Sequence, residues 1–233
     1  MDATDQRTHF SQVPTQLLLL DTEHATRHQL IADAAGASAL ALAHAMQASP
    51  EVPDPAWTAW LAGGHMRKSA RRAKPKLFAS LSAPLSTDDE TTCEQYGTTW
   101  TTHGTVAASA PVLIPELPGK IRSTQVSGWT VQPDPQRAEP DAQAPGLHIY
   151  LDQALELSTG KACAQAAHAA TLAVLDYSPV LLLPVHIHEV VFEEDRIDSD
   201  RDWIRIQDAG LTEVAPETTT CLATIVEPST DQA

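Results

Sequence analysis

Residues 159–170, TGKACAQAAHAA, follow the alternating stretch LHIYL of residues 147–151 after a short loop. In the earlier stretch apolar and polar side chains alternate, which is the period of a half-buried strand. The later stretch is rich in alanine, begins with a hydroxyl residue suited to an N-cap, and predicts a helix from near Gly160 to about Tyr177. Such small side chains let a helix backbone approach a sheet closely. Together the two stretches predict a strand and a helix of one α/β layer.

Three further strands are predicted after this helix: one from Val185 onward, one at Trp203 to Gln207, and one at Thr220 to Val226. We therefore expect an α/β fold whose C-terminal part is a four-stranded mixed sheet with flanking helices. Only ten residues, mostly charged, separate Phe192 from Trp203. A helix there would be absent or short, so the covering of one face of the sheet is left open.

A polar stripe on the predicted helix points to a functional site. Lys161, Gln165 and His168 lie at positions i, i+4 and i+7, and Lys161 in the first turn opposes the helix macrodipole, as functional charges often do. Asp208 directly follows the strand predicted at Trp203 to Gln207. Ligands bind beyond the carboxyl ends of strands in open α/β sheets. We expect Lys161 and Asp208 to share one cleft. Asp208 can also form the local turn, and both roles can hold. His168, with only alanine neighbours, is expected to be structural.

The composition favours an intracellular protein. Although 42% of the 233 residues are hydrophobic, no run of 18 apolar residues is present, so no membrane span is expected. The first residues lack a basic region followed by an apolar one, so no secretory signal is expected. Cys93, Cys163 and Cys221 form no CxxC pair and indicate reduced thiols. We therefore expect a cytoplasmic protein.

A cluster of basic residues interrupts an acidic chain. The formal net charge of −15 argues against general nucleic-acid binding. Six of the 15 Lys and Arg residues nevertheless lie between Arg67 and Lys76, a segment called the basic island below. We expect Arg67, Lys68, Arg71 and Arg72 to contact phosphates of a polyanion. The alternative is that the island is a solvated helix face.

The chain is expected to have two halves joined by a linker. Four prolines fall within residues 133–145, where the sequence is polar and weakly periodic. The predicted domains are therefore residues 15–132 and residues 146–226. The first half also opens with a strand, Gln16 to Leu20, and continues with a helix at roughly Glu23 to Gln47.

The first helices of the two halves can be aligned. Residues 32–40 match residues 164–172 at five of nine positions, but four of these matches are alanine. The N-terminal half is therefore expected to be either a degenerate α/β copy of the second half or an unrelated α+β domain. In this alignment Gln29 stands opposite Lys161, and no counterpart of the segment around Asp208 is present.

A second motif, QDAGLTEVAP at residues 207–216, is followed by three threonines at residues 218–220. Together with GKACAQAAHAA at residues 160–170, it resembles the type-2 peptidyl-tRNA hydrolases. That family's pattern is G-K-x-x-A-Q-x-x-H-A-A, then Q-D-A-G-x-T-x-x-A-P with a threonine four residues after the proline. The resemblance covers roughly residues 146–226. It extends weakly to longer bacterial members with an arginine-rich N-terminal region.

The resemblance implies hydrolysis of the ester that joins a peptide to the terminal ribose of tRNA, with peptidyl-tRNA as the partner. On the matching positions, the catalytic set would be Lys161, Asp208, Thr212 and Thr220, with Gln165 binding substrate. Asp208 would orient or deprotonate water, Lys161 would stabilise the oxyanion, and the threonines would hold the water or the carbonyl. The sequence has no nucleophile elbow, HExxH motif or phosphate-binding glycine loop. This favours direct attack by water, without a metal or a cofactor.

Two departures from the family pattern favour a different function. Glu217 stands where the family commonly has glycine, and the segment of residues 193–202 is short. The alternative is a non-catalytic tRNA- or protein-binding module on the same fold. Because the family is typically homodimeric, the first half is also expected to stand in for a second subunit and to leave the protein a monomer.

Overall fold

Two β-sheets and their helices form the described part of the chain. The computed structural model describes residues 12–48, 54–64, 66–82, 91–126, 129–177, 184–192, 202–208 and 213–228. The helices are α1 (Arg27–Ala48), α2 (Pro55–Ala62), α3 (Pro75–Ser82), α4 (Gly119–Arg122) and α5 (Thr159–Tyr177). The strands are β1 (Gln16–Leu20), β2 (Lys68–Arg72), β3 (Thr92–Gln95), β4 (Thr98–His103), β5 (Val106–Ser109), β6 (Gly146–Asp152), β7 (Val185–Val190), β8 (Ile204–Gln207) and β9 (Thr219–Val226). Within the described ranges, no helix is long and apolar enough to cross a membrane.

The C-terminal sheet has the strand order β7-β6-β9-β8. Strand β6 runs parallel to β7, after the α5 crossover, and antiparallel to β9, which also pairs with β8. Leu147, Ile149 and Leu151 of β6 are buried in the core that α5 also enters. The predicted α/β fold with a four-stranded mixed sheet is confirmed. Residues 193–201, where a short or absent helix is expected, lie outside the described residues.

The N-terminal sheet repeats this arrangement with one strand added at an edge. Its order is β2-β1-β5-β4-β3, with β1 parallel to β2 and antiparallel to β5, which pairs with β4. Helix α1 begins at Arg27 and α5 begins at Thr159, and the alignment of residues 32–40 with residues 164–172 brings these two positions together. The shared strand order is what a degenerate copy requires, and it speaks against an unrelated α+β domain.

Helices α1 and α5 pack side by side and join the two halves. Arg27 Nη1 lies 3.1 Å from Thr159 Oγ1 at the helix starts, and Ser38 Oγ lies 3.1 Å from Thr171 Oγ1 further along. The start of α1 thus lies beside the start of α5, and a later residue of α1 lies beside a later residue of α5. The two helices therefore run in the same direction. A single apolar cluster contains α1, α5 and the inner faces of both sheets. The carboxyl ends of the parallel strands in both sheets therefore lie on the same side of the molecule.

The outer faces of the two sheets differ. A second apolar cluster, with Phe78 of α3 and Ile121 of α4, covers the outer face of the N-terminal sheet. On the C-terminal sheet the outer face instead carries stacked rings: His148 and Tyr150 lie 5.2 Å and 4.4 Å from His188, centroid to centroid. The first half packs against α5, on the face of the C-terminal sheet opposite to these rings.

The proline-rich segment lies against the second half. Between residues 133 and 145 it forms no helix or strand. Arg137 Nη2 donates to the Ile187 carbonyl at 2.5 Å, and the Ala144 carbonyl accepts from His148 Nε2 at 2.7 Å. Just before this segment, Val131 N donates to Thr159 Oγ1 at 2.9 Å. Division of the chain into residues 15–132, 133–145 and 146–226 stays a prediction.

The central part of the basic island forms a strand, and only its end, at Lys76, lies in a helix, α3. Lys68 to Arg72 make up β2, which hydrogen-bonds to β1 on one side. Lys68 and Arg71 are buried, and Arg72 is exposed. Because Lys68 and Arg71 are buried, they offer little surface to a phosphate, which opposes the contacts expected of them.

Candidate functional site

The start of α5 is held by a carboxylate from the second motif. Ser158 precedes the helix, and its Oγ accepts from Lys161 N at 3.3 Å. Glu213 accepts hydrogen bonds from Ser158 N at 2.9 Å and from Ser158 Oγ at 2.6 Å. An acidic group beside a helix N-terminus is favourable, because unpaired amides and the macrodipole attract negative charge. Glu213 thus ties the second motif to Ser158, the residue that precedes α5.

A glycine permits close packing at the same helix start. A Cβ atom at Gly160 would lie 2.9 Å from the Trp129 ring, closer than a carbon contact allows. Trp129 is 7% exposed and belongs to the core shared by both halves. Glycine is therefore required at position 160 by the fold itself, whatever its role in the motif.

Lys161, Gln165 and Asp208 meet where α5 begins and β8 ends. Asp208 Oδ2 accepts a hydrogen bond from Gln165 Nε2 at 2.7 Å and forms an ion pair with Lys161 Nζ across 47 positions of sequence. The Lys161 and Asp208 side chains are 13% and 7% exposed. Because a carboxylate only accepts hydrogen bonds, Gln165 must present its NH₂ group to Asp208. Its Oε1 is buried and has no hydrogen-bond partner among the described residues.

The backbone around Asp208 explains part of the second motif. Asp208 N donates to Thr218 O at 2.9 Å, and Glu217 N donates to Asp208 O at 2.7 Å, which closes a tight loop. Glu217 takes φ = 64°, a left-handed conformation that favours glycine. A glycine at this position would adopt the same backbone conformation with less strain. The Glu217 side chain is exposed.

The structure describes only part of the remaining motif. Thr220 is fully buried in β9, and its hydroxyl lies 3.4 Å from the carbonyl of Ile206, two residues before Asp208. Thr212 lies outside the described residues. His168 is half-buried on α5, one turn beyond Gln165. Of the predicted catalytic set, the structure thus brings Lys161, Asp208 and the substrate-binding candidate Gln165 into contact.

A second ionic cluster joins the two halves near the start of α5. Glu189, at the end of β7, accepts from Arg27 Nε at 2.9 Å and Nη2 at 2.8 Å, and its Oε2 lies 2.9 Å from His28 Nε2. Burial alone would raise the pKa of Glu189, but the hydrogen bonds from His28 and Arg27 outweigh it and lower the pKa to about 2. Arg27 also donates to Thr159 Oγ1, the first residue of α5.

Sequence reasoning missed these positioning residues for identifiable reasons. Glu213 lies inside the second motif, and a carboxylate there could have been assigned to the nearby helix start. Arg27 and Glu189 carry no local signal, because they are 162 positions apart and meet only through the packing of α1 against α5.

The basic island divides into a buried and an exposed part. Lys68 Nζ donates to Gln16 Oε1, Ser38 Oγ and Thr171 Oγ1 at 2.6, 2.8 and 2.8 Å, which uses all three of its N–H groups. It also lies 4.5 Å from the centroid of the Trp60 ring. Burial lowers the pKa of Lys68 well below its usual value. Lys68 therefore joins α1, α5 and the first sheet from inside.

The exposed cations of the first half lie on neighbouring elements. Arg67 is half-buried before β2, and Arg71 Nη1 donates to the Arg122 carbonyl at 3.3 Å, which places α4 beside β2. Lys120 of α4 lies 3.9 Å from the centroid of the Tyr96 ring. The exposed basic residues of this region are Arg72, Lys74, Lys76, Lys120 and Arg122. The two α4 residues were missed from the sequence because they lie far from the island along the chain.

Comparisons with protein-family models, with curated proteins and with solved structures found no match for this chain.

Proposed function

We propose that this protein hydrolyses the ester bond of peptidyl-tRNA by direct attack of water, as the type-2 peptidyl-tRNA hydrolases do. The observation that carries the proposal is the contact of Lys161 and Gln165 with Asp208. These residues come from two motifs 47 positions apart, and both motifs match the family pattern. A turn-forming role alone for Asp208 gives no reason for a lysine in the first turn of α5 to reach it.

In the proposed reaction, Asp208 orients a water molecule and takes one of its protons as the water oxygen attacks the ester carbonyl. A new carbon–oxygen bond forms, and negative charge collects on the former carbonyl oxygen. Lys161 and the amides at the start of α5 stabilise this charge. The bond to the terminal ribose oxygen then breaks, and the proton held by Asp208 passes to that oxygen. The products are a peptide with a free carboxylate and an intact tRNA.

Three other groups have supporting roles in this proposal. Gln165 holds Asp208 through its Nε2 and offers its buried Oε1 as an acceptor for water or substrate. Thr212 and Thr220 keep the roles implied by the family pattern, holding the water or the carbonyl. Glu213 fixes the distance between α5 and the loop that follows Asp208, through its two hydrogen bonds to Ser158.

The tRNA is proposed to approach over the exposed cations of the first half. Arg72, Lys74 and the exposed residues of α4 replace the buried Lys68 and Arg71 in this role. Arg72 ends β2, and the carboxyl ends of the parallel strands in both sheets lie on one side of the molecule, the side of Asp208. Local positive charge is needed because a protein with a formal net charge of −15 repels RNA elsewhere.

The first half is proposed to replace the second subunit of the family's dimer. Its sheet has the same strand order as the catalytic half, and its α1 packs along α5 in a shared apolar core. The positions that correspond to Lys161 and Gln165 carry Gln29 and Asp33. Asp33 accepts hydrogen bonds from Thr105 N and Oγ1 at 2.8 and 2.7 Å. The first half thus has the same strand order as the catalytic half, while its carboxylate, Asp33, holds the turn at Thr105.

A non-catalytic tRNA-binding module is the second candidate. It is favoured by the low exposure of Asp208, which is 7% accessible and engaged by two donors. In this second candidate, Asp208 has a purely structural role and holds the second motif against α5. Glu217 adds a negative charge two residues after Ala215 and favours the same alternative.

An assay with an N-blocked aminoacyl-tRNA separates the two candidates. Binding and release of free tRNA are measured on the same preparation, with unacylated tRNA as the binding control. The proposal predicts release at a rate that rises with enzyme concentration and saturates with substrate. Binding without release supports the module instead, and absence of both rejects the two candidates together.

A further inference from the structure

A cavity of about 260 Å³ lies between α1 and the edge strand β7, and its lining does not include Lys161 or Asp208. Thr26, His28 and Gln29 line it at the start of α1, and Ile187 lines it on β7. Arg137 of the proline-rich segment completes the wall. The first half, the connecting segment and the second half therefore each contribute to one cavity, which no step of the proposed hydrolysis uses.

Two polar atoms of this wall are buried without a hydrogen-bond partner among the described residues: Arg137 Nη1 and His28 Nδ1. A second nitrogen of each of these two side chains already has a partner. Arg137 Nη2 donates to the Ile187 carbonyl at 2.5 Å, and His28 Nε2 lies 2.9 Å from Glu189 Oε2, to which it must donate because a carboxylate only accepts. Each side chain is thus anchored through one nitrogen and leaves the other unpaired. Arg137 Nη1 is a donor, and a buried donor left unpaired costs about 1–3 kcal/mol, which favours an acceptor at this end of the guanidinium group. His28 Nδ1 is a second donor only when the imidazole is protonated.

Arg137 is the permanently charged residue in the lining of the cavity. Glu189, the nearest carboxylate in these contacts, is already paired with Arg27 at 2.8 Å and with His28. Arg137 has no ion pair among the residues that the structure describes. The cavity also lies at the N-terminal end of α1, a helix of 22 residues whose dipole adds positive potential there.

We propose that this cavity binds a small oxyanion, the carboxylate or phosphate group of a small molecule, between Arg137 and His28. A guanidinium group suits this chemistry because its N–H groups form charge-assisted hydrogen bonds with carboxylate and phosphate oxygens. The volume suits a phosphate or a short dicarboxylate and is too small for a nucleotide chain. Because the walls come from both halves and the segment between them, the bound anion would hold the halves together and stabilise only the native chain.

Thermal unfolding of the full chain tests the proposal at pH 7 and low ionic strength. Inorganic phosphate and succinate are added in separate series, and sodium chloride at matched ionic strength is the reference. The wild-type midpoint is expected to rise above the chloride reference by roughly 5 °C once one of these anions reaches about a hundred times its Kd. A rise with phosphate alone identifies a phosphate site, and a rise with succinate alone identifies a carboxylate site.

Arg137→Gln removes the charged donor, and Arg205→Gln is the matched control because Arg205 is an exposed arginine on β8. The anion-dependent rise should vanish in Arg137→Gln and remain in Arg205→Gln. Since each variant is compared with itself in chloride, a lower starting midpoint does not affect the result. Calorimetric titration should show affinity at least about tenfold weaker for Arg137→Gln. The proposal is overturned if neither anion exceeds chloride for the wild type, or if the rise survives in Arg137→Gln.

Discussion

At the scale of single residues, a substitution of Gln165 tests how Asp208 is held in the site. Its Nε2 donates to the same oxygen that Lys161 contacts, so its removal leaves that oxygen with one fewer donor. We expect Gln165→Met, which preserves side-chain volume, to lower kcat/KM by at least about tenfold, since one hydrogen bond to a charged group is worth about 1.5–3 kcal/mol. The exposed Gln153→Met is the control. Equal turnover of both variants would remove Gln165 from the site.

A second prediction concerns His188 and the pH dependence of folding stability. Burial, with the charges of His148 and Arg137, lowers the pKa of His188 to about 4. The unfolded chain therefore binds a proton between about pH 6.5 and 4 that the folded chain excludes, so stability falls as the pH falls through this window. His188→Gln keeps a donor toward His148 but cannot titrate. Denaturant unfolding from pH 7 to pH 4 should show a shallower loss for His188→Gln, and identical pH profiles would contradict this role.

At the scale of elements, β2 divides the basic island into structural and surface charges. Lys68→Glu would place a buried carboxylate against three oxygen acceptors, so we expect a loss of at least about 3 kcal/mol in the free energy of unfolding. The exposed Arg72→Glu should change stability by less than about 1 kcal/mol and should lower the salt slope of tRNA binding by roughly 0.7–0.9. Similar stability of the two variants, measured in urea, would contradict the buried position of Lys68.

Elements with a strong period were predictable from sequence, and their mutual packing was not. The alternation at residues 147–151 and the alanine-rich run from Thr159 gave β6 and α5 close to their observed bounds. Lys68 of the basic island was predicted to lie at the surface because basic residues are usually solvated. In the structure, β2 directs the Lys68 side chain inward to Gln16 and Thr171. Such a partner set exists only after α5 has packed against the first sheet, and no local pattern records it.

The same limit applies to the candidate site. Lys161 and Asp208 were expected in one cleft because a helix start and a strand end converge at one edge of an α/β sheet. Glu213 and Arg27 contribute through contacts with Ser158 and Thr159, which depend on loop geometry and on the position of α1. Sequence rules describe neighbours within an element and do not reach such contacts.

At the scale of the whole molecule, the packing of α1 along α5 predicts a monomer. The surface of α5 that another subunit could cover is already buried by the first half, within one apolar cluster. We expect sedimentation to give a single species near 25.0 kDa over a wide range of concentration. A concentration-dependent dimer would show that the first half does not replace a second subunit.

The most direct test of the central claim is single-turnover hydrolysis of an N-blocked aminoacyl-tRNA by the wild type and by Asp208→Asn. The wild type should release tRNA, and Asp208→Asn should release it at least about a hundredfold more slowly, because the proton acceptor is lost. It should bind tRNA equally well, because the exposed cations proposed to contact tRNA are unchanged. His168→Ala, in a chain shown to be folded, should keep most of its activity. Undiminished release by Asp208→Asn, or its abolition in folded His168→Ala, would contradict the assignment of Asp208 as the group that activates water.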